Sequence, residues 1–496
     1  MRSELPGSAG RGTVEAGRIA RGAAWATLEV WGVELLQLLF FTLLARLLGP
    51  GPYGLVALAM AFVMVPQNLI VHGGWTEAVV QRPVLTREHI DASIVALVLA
   101  GLASALVLLA AAPLAVRILD LPPLGPVLAT LSICPLLTSL MVVPAGLLQR
   151  ELRLAPLTLR SLVGVSLGGT LALGMAMTGM EHWALVANEI VWPLVGAVFL
   201  GIAAGHRPRL ACSRRHLAEM ARFAAPITGE QAIVLGESFL PRLVLGLSAG
   251  PVAVGVWALA RKLLDLSSEL VARPAMRVAL PVLAARADDS AQLARGLGLA
   301  LQISTLFAVP GYAAAFAFGP ELVGLVFGRS WTPAGEALAV LALAGPALAA
   351  SMLLGTAFRA VGRPGLVARV ALLGVVLLIP LLIVSLPFGV NGVATAFACR
   401  EWLLFAVRLG LARRVLAVRP WTLLAPLVRV GVAGVAMIVA MKVAGDLLQP
   451  AGAPLRLALG LAIGAVGYVA VLLLVARALL DPLGDTIGRA LRRPRG

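Results

Sequence analysis

Cysteine is nearly absent: Cys134, Cys212 and Cys399 are the three in 496 residues, and they lie far apart. Isolated thiols at such spacing support neither a disulfide framework nor a paired-cysteine metal site. Charge is scarce too, at 13% of residues, with 24 acidic side chains against 40 basic ones. The chain has no GxxxxGK[ST] phosphate loop and no HExxH zinc motif. Neither nucleotide-driven work nor a zincin-type centre therefore has its residues here.

What is abundant is hydrocarbon. Hydrophobic residues make up 60% of the chain and the mean hydropathy is +0.96. An apolar run of about 18 residues or more reads as a membrane-spanning helix, because a helix pairs all its own backbone groups where no water can. Fourteen such runs lie between residues 22 and 477. They predict an all-α polytopic membrane protein of about fourteen transmembrane helices.

The net charge of +16 follows the loops. With alternate loops assigned to opposite sides, 32 Lys and Arg residues fall on one side and 6 on the other, counting both termini and, on the basic side, Arg261 and Lys262 of the adjoining run; Arg400 and Arg429 lie within runs. Such asymmetry places the basic side in the cytoplasm, so both termini are expected there. Basicity of this kind is topological, and nucleic acid is not an expected partner. The first apolar run is too long for a signal-peptide core and carries Glu29 and Glu34, so it reads as a retained helix.

The chain also repeats itself. Moved forward by 201 positions without a gap, residues 21–59 match residues 222–260 at 14 of 39 positions. Alanine and leucine match cheaply. The informative coincidences are Arg21 with Arg222, Thr27 with Thr228, Glu29 with Glu230, Gly49-Pro50 with Gly250-Pro251, and Gly54 with Gly255. Six helices precede the second copy, so it enters the membrane in the same orientation as the first. The expected plan is a tail (1–20), a six-helix lobe (21–204), a basic linker (205–219), a second six-helix lobe (220–410), two further helices (411–478) and a basic tail (479–496). The two parallel-repeat lobes are expected to enclose a central cavity, as in transporters built from internal repeats.

Ionisable residues inside apolar runs are costly and face a cavity or the bundle interior by default. Glu29 and Glu34 lie in the first run, and each reads either as a cavity acid or as one member of a helix–helix hydrogen bond. Gln67, Asn68 and His72 lie in the second; His72 alone reads as a packed or interfacial histidine. Glu230 and Glu237, seven residues apart, share one helical face. Counted from Gly250-Pro251 at about 1.5 Å per residue, Arg261 and Lys262 lie roughly 15 Å deep. Arg261, Asp265 and Glu269 follow on one stripe, as a cavity lining or a self-neutralising ladder. Arg400-Glu401 reads as an interfacial pair. Gly164-Val165-Ser166-Leu167-Gly168 matches a hydrolase nucleophile pattern in letters only, because it sits inside an apolar helix and not between a strand and a helix. Small-residue packing accounts for it.

The chain resembles the polysaccharide transporter, or Wzx-type oligosaccharide flippase, branch of the multidrug/oligosaccharidyl-lipid/polysaccharide exporter superfamily. The likeness rests on Ala45-Arg46-Leu-Leu-Gly49-Pro50-Gly-Pro-Tyr53-Gly54, Gly74-Trp-Thr-Glu-Ala-Val-Val-Gln81-Arg82 and Leu147-Leu-Gln-Arg150-Glu-Leu-Arg153. Gly255-Val-Trp-Ala-Leu-Ala-Arg261-Lys262-Leu, Leu280-Pro281-Val-Leu and Phe327-Gly-Arg-Ser-Trp331-Thr-Pro-Ala extend it to about residue 360. The resemblance implies a V-shaped cavity that opens alternately to each side of the cytoplasmic (inner) membrane. It further implies a lipid-diphosphate-linked oligosaccharide as substrate, flipped outward for surface polysaccharide assembly, with polymerase or export machinery as partners. Arg261 and Lys262, with Arg46, Gln67 and Asn68, are then the candidate head-group contacts. Glu29, Glu34, Glu230, Glu237 and Asp265 are the candidates for coupling to H+ or Na+; no other cofactor is expected. A cation-coupled multidrug antiporter of the same superfamily, and a polytopic glycan polymerase or ligase, stand as alternatives. Short external loops and two mid-depth cations weigh against them.

Overall fold

The computed structural model describes the backbone of residues 8–71, 73–206, 209, 213–284, 290–416, 418–449 and 452–475. Side chains are described for these apart from 8–24, 26, 27, 30, 71, 268–284, 290, 291, 426 and 475. Residues 1–7, His72, Cys212, the side chain of Glu269 and the basic tail 479–496 lie outside the described residues. The helices are α1 (Ser8–Leu48), α2 (Pro50–Val71), α3 (Trp75–Gln81), α4 (Arg87–Leu119), α5 (Leu124–Leu131), α6 (Cys134–Arg150), α7 (Ala155–Met177) and α8 (Glu181–Ala204). They continue with α9 (Arg214–Ala284), α10 (Ser290–Phe327), α11 (Thr332–Ala342), α12 (Gly345–Ala360), α13 (Pro364–Ser385), α14 (Gly389–Val415), α15 (Pro420–Leu447) and α16 (Ala453–Val475). The first helix begins at Ser8, so much of the segment expected as a tail continues it.

This is a multi-pass membrane protein. Among the described residues, 11 helical segments are long and apolar enough to cross a bilayer, or 12 if the α11–α12 pair, bent by 53° at its break, is one span. The sequence predicts fourteen. The difference arises where helical hydrogen bonding runs through a break. The segment Arg214–Ser267 has 54 residues and Pro364–Val415 has 52, against the roughly 20 that one crossing uses. Gly250, at φ 77° and ψ −174°, interrupts α9, and a short 3-10 turn, Leu386–Phe388, separates α13 from α14. The outward faces are apolar: Leu99, Leu106 and Val107 of α4 and Val435 and Val439 of α15 are all exposed. Hydrocarbon solvates such faces, so they need no protein cover.

The chain divides into two compact units, residues 1–255 and 256–496. In the first, α7 packs on α1 and α8, and α6 packs on α4 and α8. Its core includes Ile70, Val79, Leu97, Val142 and Met220, with a second cluster around Met141, Leu148, Leu157 and Leu200. In the second unit, α10 contributes to two cores. One joins Leu293, Leu297 and Leu301 to α12 and Phe405 of α14; the other joins Val309, Ala313 and Phe318 to α15 and α16.

The sequence repeat is visible in the backbone. Gly49 and Gly250 are partners in the alignment, and both have positive φ, 73° and 77°, a conformation that glycine adopts without penalty. The next pair, Pro50 and Pro251, starts the following helical segment. Four residues on, the backbones meet reciprocally: a Cβ on Gly54 would stand 1.6 Å from the Pro251 carbonyl oxygen, and one on Gly255 would stand 2.2 Å from the Pro50 carbonyl oxygen. Equivalent residues thus contact each other's equivalents, the self-complementary pattern that a local twofold relation produces.

Candidate functional site

Charged side chains gather in two polar clusters of the first unit and one of the second. In the first unit, Glu29 of α1 is half-buried and its Oε1 lies 3.0 Å from the Ser161 hydroxyl of α7. Of the two readings of Glu29, the helix–helix hydrogen bond is the contact observed. Beside it, the Arg160 guanidinium stands 5.0 Å from the centre of the Trp192 ring of α8. Glu34 is half-buried and Arg46 is exposed in the last turn of α1. Gln67 of α2 donates to the Thr138 hydroxyl of α6 at 2.9 Å, and Asn68 donates to Met64 of its own helix at 2.9 Å. Glu230 is exposed and Glu237 half-buried on α9. Glu189 of α8 is half-buried and within electrostatic reach of Arg242 of α9.

The second cluster of this unit surrounds the loop before α4. Glu219 pairs with Arg82, with His89 at 3.2 Å and with Arg215 at 3.3 Å. His89 also contacts the Thr86 hydroxyl at 2.8 Å, within a capping box that starts α4, and its ring meets that of His216 edge-on at 4.4 Å. Asp91, buried, holds His206 at 2.9 Å and the backbone N–H of Arg209 at 3.2 Å. The residues that follow α8 are thereby tied to the start of α4. Arg150 ends α6 by donating to the carbonyls of Val79, Val80, Arg82 and Pro83. Carbonyls at a helix C-terminus lack intrahelical partners, and a guanidinium is suited to satisfy several of them together.

In the second unit, Arg261 donates from Nε to both oxygens of Asp265, at 2.9 and 3.1 Å, and its guanidinium lies 4.4 Å from the centre of the Phe397 ring. Arg400 approaches the same ring at 4.8 Å, and Trp257 meets it edge-on at 6.3 Å. The expectation that Arg400-Glu401 is interfacial is corrected here. Both side chains are buried, at 2% and 3% exposure, and they pair with each other. Phe397 sits one turn back on α14 and offers Arg400 its face. Two cations can share one aromatic ring because an acid neutralises each: Asp265 for Arg261 and Glu401 for Arg400. Lys262 beside them is half-buried. Arg261 remains 24% exposed and Asp265 45%, so this pair has an open side.

Glu29, Arg261 and Asp265 stand out in the sequence as ionisable residues inside apolar runs, whereas Arg160, Trp192 as a cation partner and Phe397 do not. By position next to Arg150 and Arg153, Arg160 falls among the 32 cations of the basic side, although it is the sixth residue of α7. Its spacing to Gly164 and Gly168, which face Trp192 and Asn188 of α8, was the available signal. Among the described residues, no group of three or more His, Cys, Asp and Glu side chains is placed to hold a metal ion.

Comparison with known proteins gives the family. A family model described as "Polysaccharide biosynthesis protein" matches residues 43–336. The chain belongs to this family. Within it, the chain is 25% identical to the succinoglycan biosynthesis transport protein ExoT of Rhizobium meliloti (strain 1021) over 331 residues, 67% of each chain. It is 24% identical to the lipopolysaccharide biosynthesis protein WzxC of Escherichia coli (strain K12) over 338 residues, 65% of this chain and 66% of that one. Among solved structures, the lipid II flippase MurJ in an inward closed conformation matches with a TM-score of 0.77 at 13% identity, over 92% of this chain and 99% of that one. An inward-facing multidrug resistance MATE family transporter of the MOP superfamily matches with a TM-score of 0.62 at 15% identity, over 77% and 94%. At these identities the structures show the fold alone. The polysaccharide biosynthesis family is one of membrane transporters and flippases, not enzymes.

Proposed function

We propose that this protein flips a lipid-diphosphate-linked oligosaccharide outward across the cytoplasmic membrane, for assembly of a surface polysaccharide, by alternating access. The observation that carries the reading is Arg261: a half-buried guanidinium roughly 15 Å along its helical segment from Pro251, stacked on Phe397 and left with an open side. A cation held in that way suits a diphosphate, which it can engage by charge-assisted hydrogen bonds. Lys262 adds a second charge, and Arg46, Gln67 and Asn68 are the further head-group contacts. Glu29, Glu34, Glu230, Glu237 and Asp265 are the coupling candidates for H+ or Na+. Relatives in succinoglycan transport and lipopolysaccharide biosynthesis support the substrate class.

The transmembrane plan goes with this reading. If Arg214–Ser267 and Pro364–Val415 each cross twice, the 12 spans become fourteen. Fourteen is even, so both termini lie on one side, the cytoplasmic one by the distribution of arginine. The helices then form two six-helix lobes and a C-terminal pair, with polymerase or export proteins receiving the flipped glycan.

Reconstitution tests the proposal. Purified protein in vesicles carrying a fluorescent lipid-linked oligosaccharide on the inner leaflet should expose the sugar to an external, membrane-impermeant glycosidase faster than protein-free vesicles do. Equal rates would refute it. Transport of a cationic dye with no glycan movement would favour the antiporter reading instead.

A further inference from the structure

Arg160 of α7 sets its guanidinium against an aromatic ring with part of its hydrogen-bonding capacity unused. Its Nε and Nη1 are shielded from solvent and have no hydrogen-bond partner among the described residues. Burying guanidinium N–H donors without an acceptor is expensive. The π face of Trp192, at 5.0 Å, compensates the charge in part but accepts none of those hydrogen bonds in the ordinary way. The contact is built in: a Cβ on Gly164, one turn further along α7, would already touch Trp192 at 3.2 Å, so the indole is seated against this stretch of the helix. The residue as a whole is half-buried.

An acid stands near and yet does not neutralise it. Glu29 is within electrostatic reach of Arg160, but no ion pair forms between them within 4 Å among the described residues. The Glu29 carboxyl instead meets the hydroxyl of Ser161, the next residue of α7, at 3.0 Å. Ser161 thus holds the intrinsic counter-ion away from the cation.

We propose that Arg160 is a binding site for an oxyanion of the transported molecule, and that Ser161 keeps Glu29 from occupying it by holding the carboxyl in a hydrogen bond. Arg160 is the contact residue and Ser161 a positioning residue. The oxyanion is a phosphate of the lipid linkage or a carboxylate of an acidic sugar; both have the planar or tetrahedral oxygen edge that a guanidinium engages with two N–H donors. This deepens the flippase reading and rests on it only for the identity of the ligand.

The test uses full-length protein in phosphatidylcholine nanodiscs, titrated calorimetrically with inorganic pyrophosphate and separately with glucuronate. Arg160→Gln should weaken binding of one of them at least about tenfold, the loss of a hydrogen-bonded charge contact, whereas Arg153→Gln, which removes an exposed cation just before α7, should not. The anion affected identifies the source. Ser161→Ala should weaken the same binding by freeing Glu29 to pair with Arg160, and Ser161→Ala with Glu29→Gln should restore it. A merely structural Ser161 would show no such rescue. Equal affinities in parent, Arg160→Gln and Ser161→Ala would overturn the proposal, as would Ser161→Ala weakness that Glu29→Gln leaves in place. Should Arg160→Gln fail to fold, the serine pair decides alone. Vesicles that move no glycan while pyrophosphate binding still depends on Arg160 would sink the flippase reading and leave this site standing. Flipping that is normal in Arg160→Gln with unchanged anion binding would do the reverse.

Discussion

Replacing Gly54 by alanine places a methyl group where the repeat brings two backbones together. The new carbon would stand 1.6 Å from the Pro251 carbonyl oxygen, against about 3.3 Å for an ordinary carbon–oxygen contact. The obstacle is backbone, which has no rotamer to yield, so the crossing must open by more than 1 Å. Forcing a group into a packed contact costs about 1–3 kcal/mol, and in a membrane this contact has no hydrophobic drive to hold it shut, only packing. Gly255→Ala, at 2.2 Å from the Pro50 carbonyl oxygen, should cost less than Gly54→Ala. Because both changes open the same crossing, the double variant should cost less than the sum of the two. Gly51→Ala is the internal control: its Cβ would meet nothing nearer than Val252 at 4.0 Å. Thermal unfolding of the detergent-purified variants, followed by loss of the monodisperse peak, should rank Gly51→Ala with the parent, then Gly255→Ala, then Gly54→Ala. Gly54→Ala melting with the parent would refute the reciprocal contact.

Three other outcomes follow from the clusters. Arg261→Ala with Lys262→Ala should abolish glycan flipping in reconstituted vesicles while the protein still inserts; undiminished flipping would remove these residues from the head-group site. Glu401→Gln should destabilise the second unit by about 3–5 kcal/mol, because Arg400 keeps a buried charge without its acid, and Arg400→Met with Glu401→Leu should recover most of it; thermal unfolding measures both. Arg150→Ala should lower stability by about 1.5–3 kcal/mol, the scale of a charged hydrogen bond, since it strips the carbonyls at and just past the end of α3 of their donor, and Arg150→Lys should rescue only part, because an ammonium lacks the planar fork.

Much of the architecture is local in origin and was therefore legible from residue order. In hydrocarbon every backbone group needs an intrahelical partner, so an apolar run declares its helix without reference to anything distant. Positive φ at Gly49 and Gly250 is likewise a property of the residue itself, which is why a repeat found in letters reappears as torsion angles. Breaks were less legible in the backbone than in the sequence, because hydrogen bonding carried α9 past Gly250.

The tertiary structure alone decided which polar side chains meet. Glu29 finds Ser161 across 132 residues, Arg261 and Arg400 converge on Phe397, and Arg160, which by position alone reads as a loop cation, is set on Trp192. In a water-soluble helix an apolar stripe would have announced the inward face. Here both faces are apolar, one against protein and one against lipid, so the rotation of each helix about its axis is settled only when its neighbours pack against it.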